Sequence, residues 1–389
     1  MLLKSKKIGI VSYGSKLPQF KIIGEEIAKA QRKLDHKLHI ALGVQSKTVP
    51  GIDEDTITLS VASGFQAIER LQSLVLSTQQ KKQSVVAVRD EIDSLFIGSE
   101  SHPYAVKPSG TVVAQALAIS SDSFGSSDNK KKFGKPLATA DLQFACKAGT
   151  QALQISSLYV TSEFTKYALA IGTDTAQSSP GDVLEYTAGA GSAAFIMGSC
   201  EEEILARLLA TTSVATDTPD FWRRPQESYP QHAGRFTGEP GYFEHITLAA
   251  QQIMEETGFN PQDFQRCVFH TPNAKFPKSL AKRLGFTSKQ LAASLVVEEI
   301  GNTYAGASML GLVNTLDAAK SGEKILVVSY GSGAGSDAFI FETTPQLEKA
   351  KKLWRTENKT TTTIQVTLEA QIKQLIPVEY EFYRKNSSH

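Results

Sequence analysis

Short runs of apolar, largely β-branched residues recur along the chain, and the longer segments between them carry apolar residues at every third or fourth position. The first pattern is typical of buried strands, and the second is typical of amphipathic helices. Strands are predicted over residues 8–12, 94–98, 167–172, 193–197, 266–270, 324–329 and 338–342. Helices are predicted over residues 60–77, 147–162, 243–257 and 305–319. Because strands alternate with helices, the pattern predicts an α/β protein with largely parallel strand pairing.

One octapeptide occurs twice along the chain with a single difference. Residues 189–196 read GAGSAAFI and residues 333–340 read GAGSDAFI, so Ala193 in the first copy stands against Asp337 in the second. Each copy follows a predicted strand, which itself follows a long predicted helix. The repeat is too long for a solenoid, whose units span roughly 20–50 residues. The pattern therefore predicts two duplicated α/β halves. The predicted halves are residues 1–204 and 205–389.

Two polar segments interrupt this pattern. Residues 120–135, SSDSFGSSDNKKKFGK, lack apolar periodicity and predict a mobile loop. Residues 360–368, TTTTIQVTL, lie after the second octapeptide and predict a further strand.

Composition narrows the possible functions. The 389 residues are 41% hydrophobic and 21% charged, which is normal for a globular protein, and the net charge of +1 argues against coating of nucleic acid. No stretch approaches the roughly 20 apolar residues of a membrane span, and the first residues lack the apolar run of a signal peptide. Three cysteines without paired spacing predict neither a disulfide framework nor a metal site. We expect a cytoplasmic protein that binds neither nucleic acid nor membranes.

Cys146 is the candidate nucleophile. It lies in the segment ADLQFACKAGTQALQ, at or just before the start of a predicted helix. The free N–H groups and the dipole of a helix start favour a thiolate, and the neighbouring Lys147 would add a positive charge if it faces the sulfur. A small buried cysteine is the alternative interpretation. Cys200 and Cys267 are interpreted as packing residues.

Three further side chains stand where strands or helices are predicted to begin or end. His270 ends a strand at the edge where α/β sheets usually bind ligands, and an imidazole suits proton transfer near neutral pH. Glu100 ends another strand. Asn302 precedes a helix, where it either caps the helix or donates a hydrogen bond to an oxyanion. Each also has an ordinary interpretation as a hydrogen-bonded or solvated residue.

A basic cluster follows His270 and comprises Lys275, Lys278, Lys282 and Arg283. It is either a charged helix face or a binding site for a phosphorylated ligand.

Eight segments spread over residues 8–340 resemble the thiolase superfamily and, within it, the hydroxymethylglutaryl-CoA synthases of archaeal type. They are GVQSKTVPGIDEDT, IGSESHPYAVKP, ADLQFACKAGTQA, DTPDFWRRP, HAGRFTGEP, FHTPNAKFP, GNTYAGAS and SYGSGAGSDAF. The resemblance implies a thiolase-like fold, in which two duplicated α/β halves pack in layers around central helices.

The resemblance also implies a reaction and its residues. Acetyl-CoA acylates Cys146, Glu100 acts as general acid and base on the acetyl methyl group, and His270 serves the acetoacetyl side. The condensation of acetyl-CoA with acetoacetyl-CoA gives hydroxymethylglutaryl-CoA for the mevalonate pathway of isoprenoid biosynthesis. CoA thioesters are the substrates, and no cofactor or metal is implied. The residues expected to contact substrate or CoA are Asn302, Thr187, Ser332, Lys275, Arg235 and Thr237.

Related activities remain alternatives at this point. A ketoacyl synthase of type III would use Cys146, His270 and Asn302 but lacks a counterpart of Glu100, and a thiolase would carry a cysteine where Ser332 stands. A polyketide β-branching synthase would use the same residues on a carrier-protein substrate. A non-catalytic acyl-binding scaffold would be expected to have lost a reactive residue. The resemblance further implies a homodimer and a complex with an acetoacetyl-CoA thiolase and a small zinc-ribbon/OB-fold protein.

Overall fold

The computed structural model of the protein describes residues 7–31, 37–78, 87–119, 135–356 and 365–386. Its strands are β1 (Gly9–Lys16), β2 (Phe20–Ile23), β3 (Ser46–Val49), β4 (Ile92–Gly98), β5 (Ala138–Leu142), β6 (Tyr167–Thr175), β7 (Ala190–Gly198), β8 (Ala206–Ala215), β9 (Phe221–Trp222), β10 (Gln231–His232), β11 (Arg266–Phe269), β12 (Lys324–Val328), β13 (Gly335–Thr343) and β14 (Ile376–Pro377). Its α-helices are α1 (Gly24–Ala30), α2 (Leu38–Leu42), α3 (Thr56–Thr78), α4 (Ser109–Ala116), α5 (Ala148–Thr161), α6 (Gly234–Phe236), α7 (Phe243–Thr257), α8 (Lys275–Leu284), α9 (Ser288–Leu291), α10 (Val297–Ile300), α11 (Ala307–Ala318), α12 (Pro345–Thr356), α13 (Leu368–Gln374) and α14 (Tyr380–Asn386).

Nine of the strands form one mixed sheet in the order β11-β12-β13-β8-β1-β7-β6-β4-β5. Only the pairs β11–β12, β6–β4 and β4–β5 are parallel, and the other neighbours are antiparallel. The prediction of largely parallel pairing is therefore wrong. Residues 329–334, which join β12 to β13, are too few for the crossover that a parallel pair needs, so these strands form an antiparallel hairpin.

The sheet order repeats itself about its centre. The series β1-β7-β6-β4 on one side matches β8-β13-β12-β11 on the other, and β1 pairs with β8 where the two series meet. Strands β7 and β13 carry most of the two octapeptide copies and hold equivalent places. The fold therefore consists of two duplicated α/β halves, as predicted. A division between residues 204 and 205 stays a prediction, although it falls between β7 and β8.

Alternate residues of the strands face two different helix layers. In β12, Ile325 and Val327 belong to a core that includes α5 and α11, whereas Leu326 and Val328 belong to a core with α7. This alternation follows from the two-residue period of a strand, and it explains why the run is apolar throughout. Helix α3 covers the corresponding outer face of the first half. Helices α5 and α11 thus form a central layer shared by both halves.

The predicted helices and all but one of the predicted strands match observed elements, whereas the pattern does not predict β5 and β8 of the nine-stranded sheet. The pattern missed β8, because its sequence ARLLATTSVA mixes small and polar residues and shows no apolar run. The strand predicted over residues 360–368 is wrong in its described part, where Thr367 caps the start of α13. The loop predicted over residues 120–135 lies outside the described residues except for its last position. No helix in the described ranges is long and apolar enough to cross a membrane.

Candidate active site

Cys146 lies on a tight turn between β5 and α5. The Lys147 N–H donates to the Phe144 carbonyl at 3.2 Å, and the Ala148 N–H donates to the Ala145 carbonyl at 3.0 Å. Ala145 has a φ of +43°, a left-handed conformation of the kind that costs about 1–3 kcal/mol and is typical of functional sites. Helix α5 begins two residues after Cys146, which confirms the predicted position of the cysteine just before a helix.

Glu100 contacts the cysteine directly. It follows β4, and the Cys146 thiol donates a hydrogen bond to Glu100 Oε1 at 3.3 Å. Desolvation of the carboxyl group, with a smaller contribution from the charge of Asp174, raises the pKa of Glu100 to about 8. A carboxyl group with this pKa both accepts and returns protons near neutral pH, which suits a general acid and base.

The resting cysteine is a neutral thiol. Burial raises the pKa of the Cys146 thiol well above its usual range, and the adjacent Glu100 carboxylate raises it further. Lys147 does not face the sulfur, because its ammonium group pairs with Asp337 at 2.9 Å. The expectation of a thiolate favoured by the helix start and by Lys147 is therefore wrong: desolvation and a neighbouring negative charge outweigh the helix terminus, which contributes about 0.3–1 kcal/mol at exposed sites.

Asp174 organises the strand end that carries Glu100. The Asp174 side chain is fully buried at the end of β6. Its Oδ1 accepts hydrogen bonds from the hydroxyl of Ser99 at 2.7 Å, the hydroxyl of Ser101 at 2.6 Å and the Glu100 N–H at 2.8 Å, while Oδ2 accepts from the Ala305 N–H at 2.7 Å. The sequence analysis missed this residue. Its place after the run YALAIG, at a strand end like that of Glu100, was the available signal.

A cavity of about 290 Å³ opens beside the cysteine and the glutamate. Its wall includes Glu100, Ala145, Tyr304, Trp222 and Ser332. Cys146 is 7% exposed and packs next to this wall, against Tyr304. The structure thus brings Ser332, predicted to contact substrate, into the same cavity as the predicted base.

A short hairpin forms part of the cavity wall. The hairpin pairs β9 with β10, and residues Phe221 to Arg223 line the cavity. Arg223 Nη2 donates to the Glu100 carbonyl oxygen at 2.8 Å, and its Nη1 donates to Gln177 Oε1 at 3.0 Å. These contacts connect the hairpin to the strand end that carries the glutamate. The sequence analysis did not single out Arg223.

His270 directly follows β11 and is buried in an uncharged state. It is 1% exposed, and burial lowers the pKa of its imidazole to about 3. Tyr242 donates to the His270 carbonyl at 2.7 Å, and the His270 N–H donates to the Val328 carbonyl at 3.0 Å, so the backbone is fixed. The buried Nδ1 atom has no hydrogen-bond partner among the described residues. A neutral imidazole donates or accepts one hydrogen bond at each nitrogen, but it is not a source of imidazolium protons near neutral pH.

Asn302 and Thr187 lie together beside the cysteine. The Asn302 N–H donates to the Thr187 carbonyl at 2.7 Å, and Ala188, which pairs with Asn302, packs against Cys146. The Asn302 side-chain oxygen accepts from the Tyr304 N–H at 2.9 Å. The amide therefore caps the short turn before α11, and its nitrogen is the group that would donate to a substrate.

The residues expected near CoA do not line this cavity. Lys275 is exposed at the start of α8, and Arg235 is exposed with its guanidinium 5.4 Å from the centre of the Phe236 ring. Thr237 begins a π-helical turn before α7, and its buried hydroxyl oxygen has no partner in the part of the chain that the structure describes. None of the three is among the residues that line the 290 Å³ cavity.

The neighbouring residues of the predicted basic cluster are partly engaged. Lys278 pairs with Glu298 at 2.6 Å, and Arg283 pairs with Glu239 at 2.7 Å. The two other cysteines differ in their surroundings. Cys267 is fully buried in β11 and is a packing residue as predicted. The same prediction for Cys200 is wrong, because Cys200 is partly exposed and its thiol donates to Glu202.

Comparison with known proteins defines the class to which this arrangement belongs. The model of the family "3-Oxoacyl-[acyl-carrier-protein (ACP)] synthase III C terminal" matches residues 254–343. Two duplicated halves and a cysteine in contact with a glutamate fit the condensing enzymes of the thiolase superfamily, which transfer acyl groups. A hydroxymethylglutaryl-CoA synthase of Archaeoglobus fulgidus is 48% identical over 350 residues, which cover 89% of this chain and 93% of that protein. A hydroxymethylglutaryl-CoA synthase of Methanococcus maripaludis is 45% identical over 380 residues, which cover 98% of each chain. The chain belongs to the hydroxymethylglutaryl-CoA synthase family.

Solved structures show the same fold at lower identity. A crystal structure of an HMG-CoA synthase complexed with CoA matches with a TM-score of 0.78 and 22% identity, covering 98% of this chain and 90% of that one. The HMG synthase of the curacin biosynthetic pathway in complex with a holo donor acyl carrier protein matches with a TM-score of 0.79 and 19% identity, covering 98% and 88%. These likenesses confirm the predicted thiolase-like fold.

Proposed function

We propose that the protein condenses acetyl-CoA with acetoacetyl-CoA and water to give 3-hydroxy-3-methylglutaryl-CoA and CoA through an acetylated Cys146. The observation that carries this proposal is the hydrogen bond of 3.3 Å between the Cys146 sulfur and Glu100. It places an acyl-carrying group next to a base that is stronger than an ordinary carboxylate. CoA thioesters are the substrates, the proposed steps need no further cofactor, and the product serves the mevalonate pathway of isoprenoid biosynthesis.

Acylation of the cysteine is the first step. As Cys146 attacks the thioester carbonyl, its proton passes to Glu100 in the ionised form of that carboxyl group, to which the neutral thiol donates a hydrogen bond. The tetrahedral intermediate expels CoA as a thiolate, which takes the proton from Glu100 and leaves as the thiol. Glu100 is then an unprotonated carboxylate beside the acetyl group. A sulfur nucleophile suits this step because it both attacks and leaves readily.

Condensation is the second step. Glu100 removes a proton from the acetyl methyl group, and the resulting enolate attacks the ketone carbon of acetoacetyl-CoA. Burial keeps His270 neutral, so we assign it the role of polarising the ketone oxygen by a hydrogen bond. Glu100 returns its proton to the new alkoxide. We assign stabilisation of the enolate oxygen to the Asn302 amide nitrogen, with Thr187 and Ser332 as further substrate contacts.

Hydrolysis completes the cycle. Water attacks the thioester on Cys146, and one of its protons passes through Glu100 to the departing Cys146 sulfur, which leaves as a thiol. The carboxylic acid formed on hydroxymethylglutaryl-CoA loses its proton to solvent and is released as a carboxylate. The proposal assigns Lys275, Arg235 and Thr237 to the CoA portion. This assignment is supported by the exposed positive charges of Lys275 and Arg235. It is also supported by the Thr237 hydroxyl, which has no hydrogen-bond partner among the described residues.

Product analysis tests this function. Purified protein is incubated with acetyl-CoA and either acetoacetyl-CoA or an acetoacetyl carrier protein, and the products are identified by mass spectrometry. We expect hydroxymethylglutaryl-CoA from the CoA substrate, with the product lost in Cys146→Ser and retained in the matched control Cys200→Ser. Product from the carrier protein alone would instead support a polyketide β-branching synthase, and no product from either would contradict the proposal.

We also propose a homodimer in the cytoplasm. Among the described residues no further strand pairs with β5 at the end of the nine-stranded sheet, which leaves one side of its backbone for a second copy. Leu158 and Phe164 near the end of α5 are 41% and 67% exposed. The cytoplasmic location is supported by three free cysteines, which suit a reducing compartment. A complex with an acetoacetyl-CoA thiolase and a zinc-ribbon/OB-fold protein rests on the family resemblance.

A further inference from the structure

A buried ion pair joins the residue after the nucleophile to the second half of the fold. Lys147 Nζ lies 2.9 Å from Asp337 Oδ1, and the two side chains are 5% and 0% exposed. Asp337 also accepts hydrogen bonds from the Ser213 hydroxyl at 2.7 Å and the Thr150 hydroxyl at 3.0 Å. Lys147 belongs to the turn that carries Cys146, whereas Asp337 lies on β13. The pair therefore connects the turn directly to the other half.

The glycines of the second octapeptide region make room for this connection. A Cβ atom on Gly331 would lie 2.5 Å from the Phe144 carbonyl oxygen and 2.8 Å from Lys147 Cγ, and one on Gly335 would lie 2.8 Å from Phe144 Cζ. The backbone of the second half thus abuts the turn, where any side chain would displace it. The Lys147 ammonium also lies 4.2 Å from the centre of the Phe144 ring, which adds a cation–π contact within the turn.

The single difference between the octapeptide copies coincides with this contact. Asp337 in the second half stands where the first half has Ala193, so only one copy supplies the carboxylate that the turn requires. The side chains of neighbouring residues of the turn lead to different partners: Cys146 contacts Glu100, and Lys147 contacts Asp337. The turn is consequently held on both sides, which suits a backbone with a left-handed residue at Ala145.

We propose that Lys147 and Asp337 are positioning residues, whose ion pair sets the orientation of the turn and thereby the distance from the Cys146 sulfur to Glu100. The inference rests on the proposed function only in using acetylation of Cys146 as one readout. A buried ion pair is often no better for stability than apolar residues of similar size, so holding a geometry is the contribution that this pair makes beyond folding.

The test removes both charges together. In Lys147→Met combined with Asp337→Asn, no unpaired charge remains, and the Thr150 and Ser213 hydroxyls keep a hydrogen-bonding neighbour. We expect the thermal midpoint of the double variant to stay near that of the parent. The single-turnover rate of Cys146 acetylation should fall roughly ten- to hundred-fold, as for a misplacement of about 1 Å, with little change in the KM for acetyl-CoA. Lys147→Arg, which keeps the pair, should remain within a few-fold of the parent.

Controls separate positioning from folding and from the proposed function. Lys324→Met on β12 removes a surface ion pair with Glu342, which lies on β13 as Asp337 does, and should leave the acetylation rate unchanged. If the double variant does not fold, Lys147→Leu combined with Asp337→Asn, which likewise leaves no unpaired buried charge, takes its place with the same expected loss. The rate of Cys146 alkylation by iodoacetamide reports the reactivity of the thiol and does not depend on the natural acyl donor. The pH dependence of this rate should shift in the variants. A parental acetylation rate and a parental alkylation profile in a folded variant would overturn the inference, whereas an unacetylated parent would instead contradict the proposed function.

Discussion

Glu100 and His270 occupy equivalent places in the two halves, yet burial has opposite effects on their chemistry. Glu100 follows β4 and His270 follows β11, the strands that match in the repeated sheet order. Burial disfavours the charged form of each, so it raises the pKa of the glutamate to about 8 and lowers the pKa of the histidine to about 3. In the proposed mechanism the glutamate exchanges protons near neutral pH, and the histidine acts through neutral hydrogen bonds. The same physical cause, burial, thus suits one duplicated position to proton transfer and the other to a fixed hydrogen bond.

The largest effect is expected from Glu100→Gln. The amide fills the same space but accepts no proton, so the acetyl methyl group loses its base. We expect condensation to fall by about 10²–10⁴-fold, while slow acetylation of Cys146 still reaches completion. Single-turnover condensation and mass mapping of the acetylated peptide measure the two steps separately. Condensation at the parental rate would remove Glu100 from its role, and Glu342→Gln on β13 serves as the control.

A smaller loss is expected from His270→Ala. Removal of one hydrogen-bond donor to a developing oxyanion typically costs about 10²–10³-fold, and here it should affect condensation but not acetylation. His270→Asn, which retains a short polar group near the position of Nδ1, should recover part of the rate. Because the histidine is already neutral, neither variant should move the pH dependence of condensation. A shifted pH profile would show that the imidazole titrates in the working range and would break the comparison with Glu100.

The smallest effect concerns stability. The pKa of Glu100 in the folded protein, about 8, is above its ordinary value of 4.5, so the folded state holds this proton more tightly than the unfolded chain does. The contribution of Glu100 to stability is therefore complete below the lower value and is lost as the pH rises towards the upper one. Glu100→Gln does not titrate, so its thermal midpoint relative to the parent should rise as the pH increases through this window. A constant difference across the window would contradict a raised pKa.

The fold could be predicted from sequence where one physical signal dominates. Helix α7 begins and ends at the predicted residues, because its amphipathic period is clear and Gly258 stops it in a left-handed conformation. Pairing direction could not be predicted in the same way, because buried strands read as apolar runs in both parallel and antiparallel neighbours. Strand β8 was not predicted because its sequence has no apolar run, and its burial depends on the neighbouring strands rather than on its own composition.

The sequence indicated which residue types form the site, but it did not indicate where their side chains point. Cys146 and Glu100 stand at element ends, and the structure places them in contact. The direction of Lys147 and the protonation of the thiol depend on tertiary neighbours that no local pattern contains. The sequence showed Asp337 as the one difference between the octapeptide copies. Its ion pair with Lys147 could not be predicted, because the two residues meet only in the folded chain.

Acetylation of Cys146 is the most direct test of the central claim. The protein is incubated with acetyl-CoA alone, the release of CoA is followed, and the digested protein is mapped by mass spectrometry. The account predicts one acetyl group on the peptide that contains Cys146, formed in step with CoA release, and none on Cys200 or Cys267. Release of CoA with Cys146 unmodified, or an acetyl group carried by another residue, would contradict it.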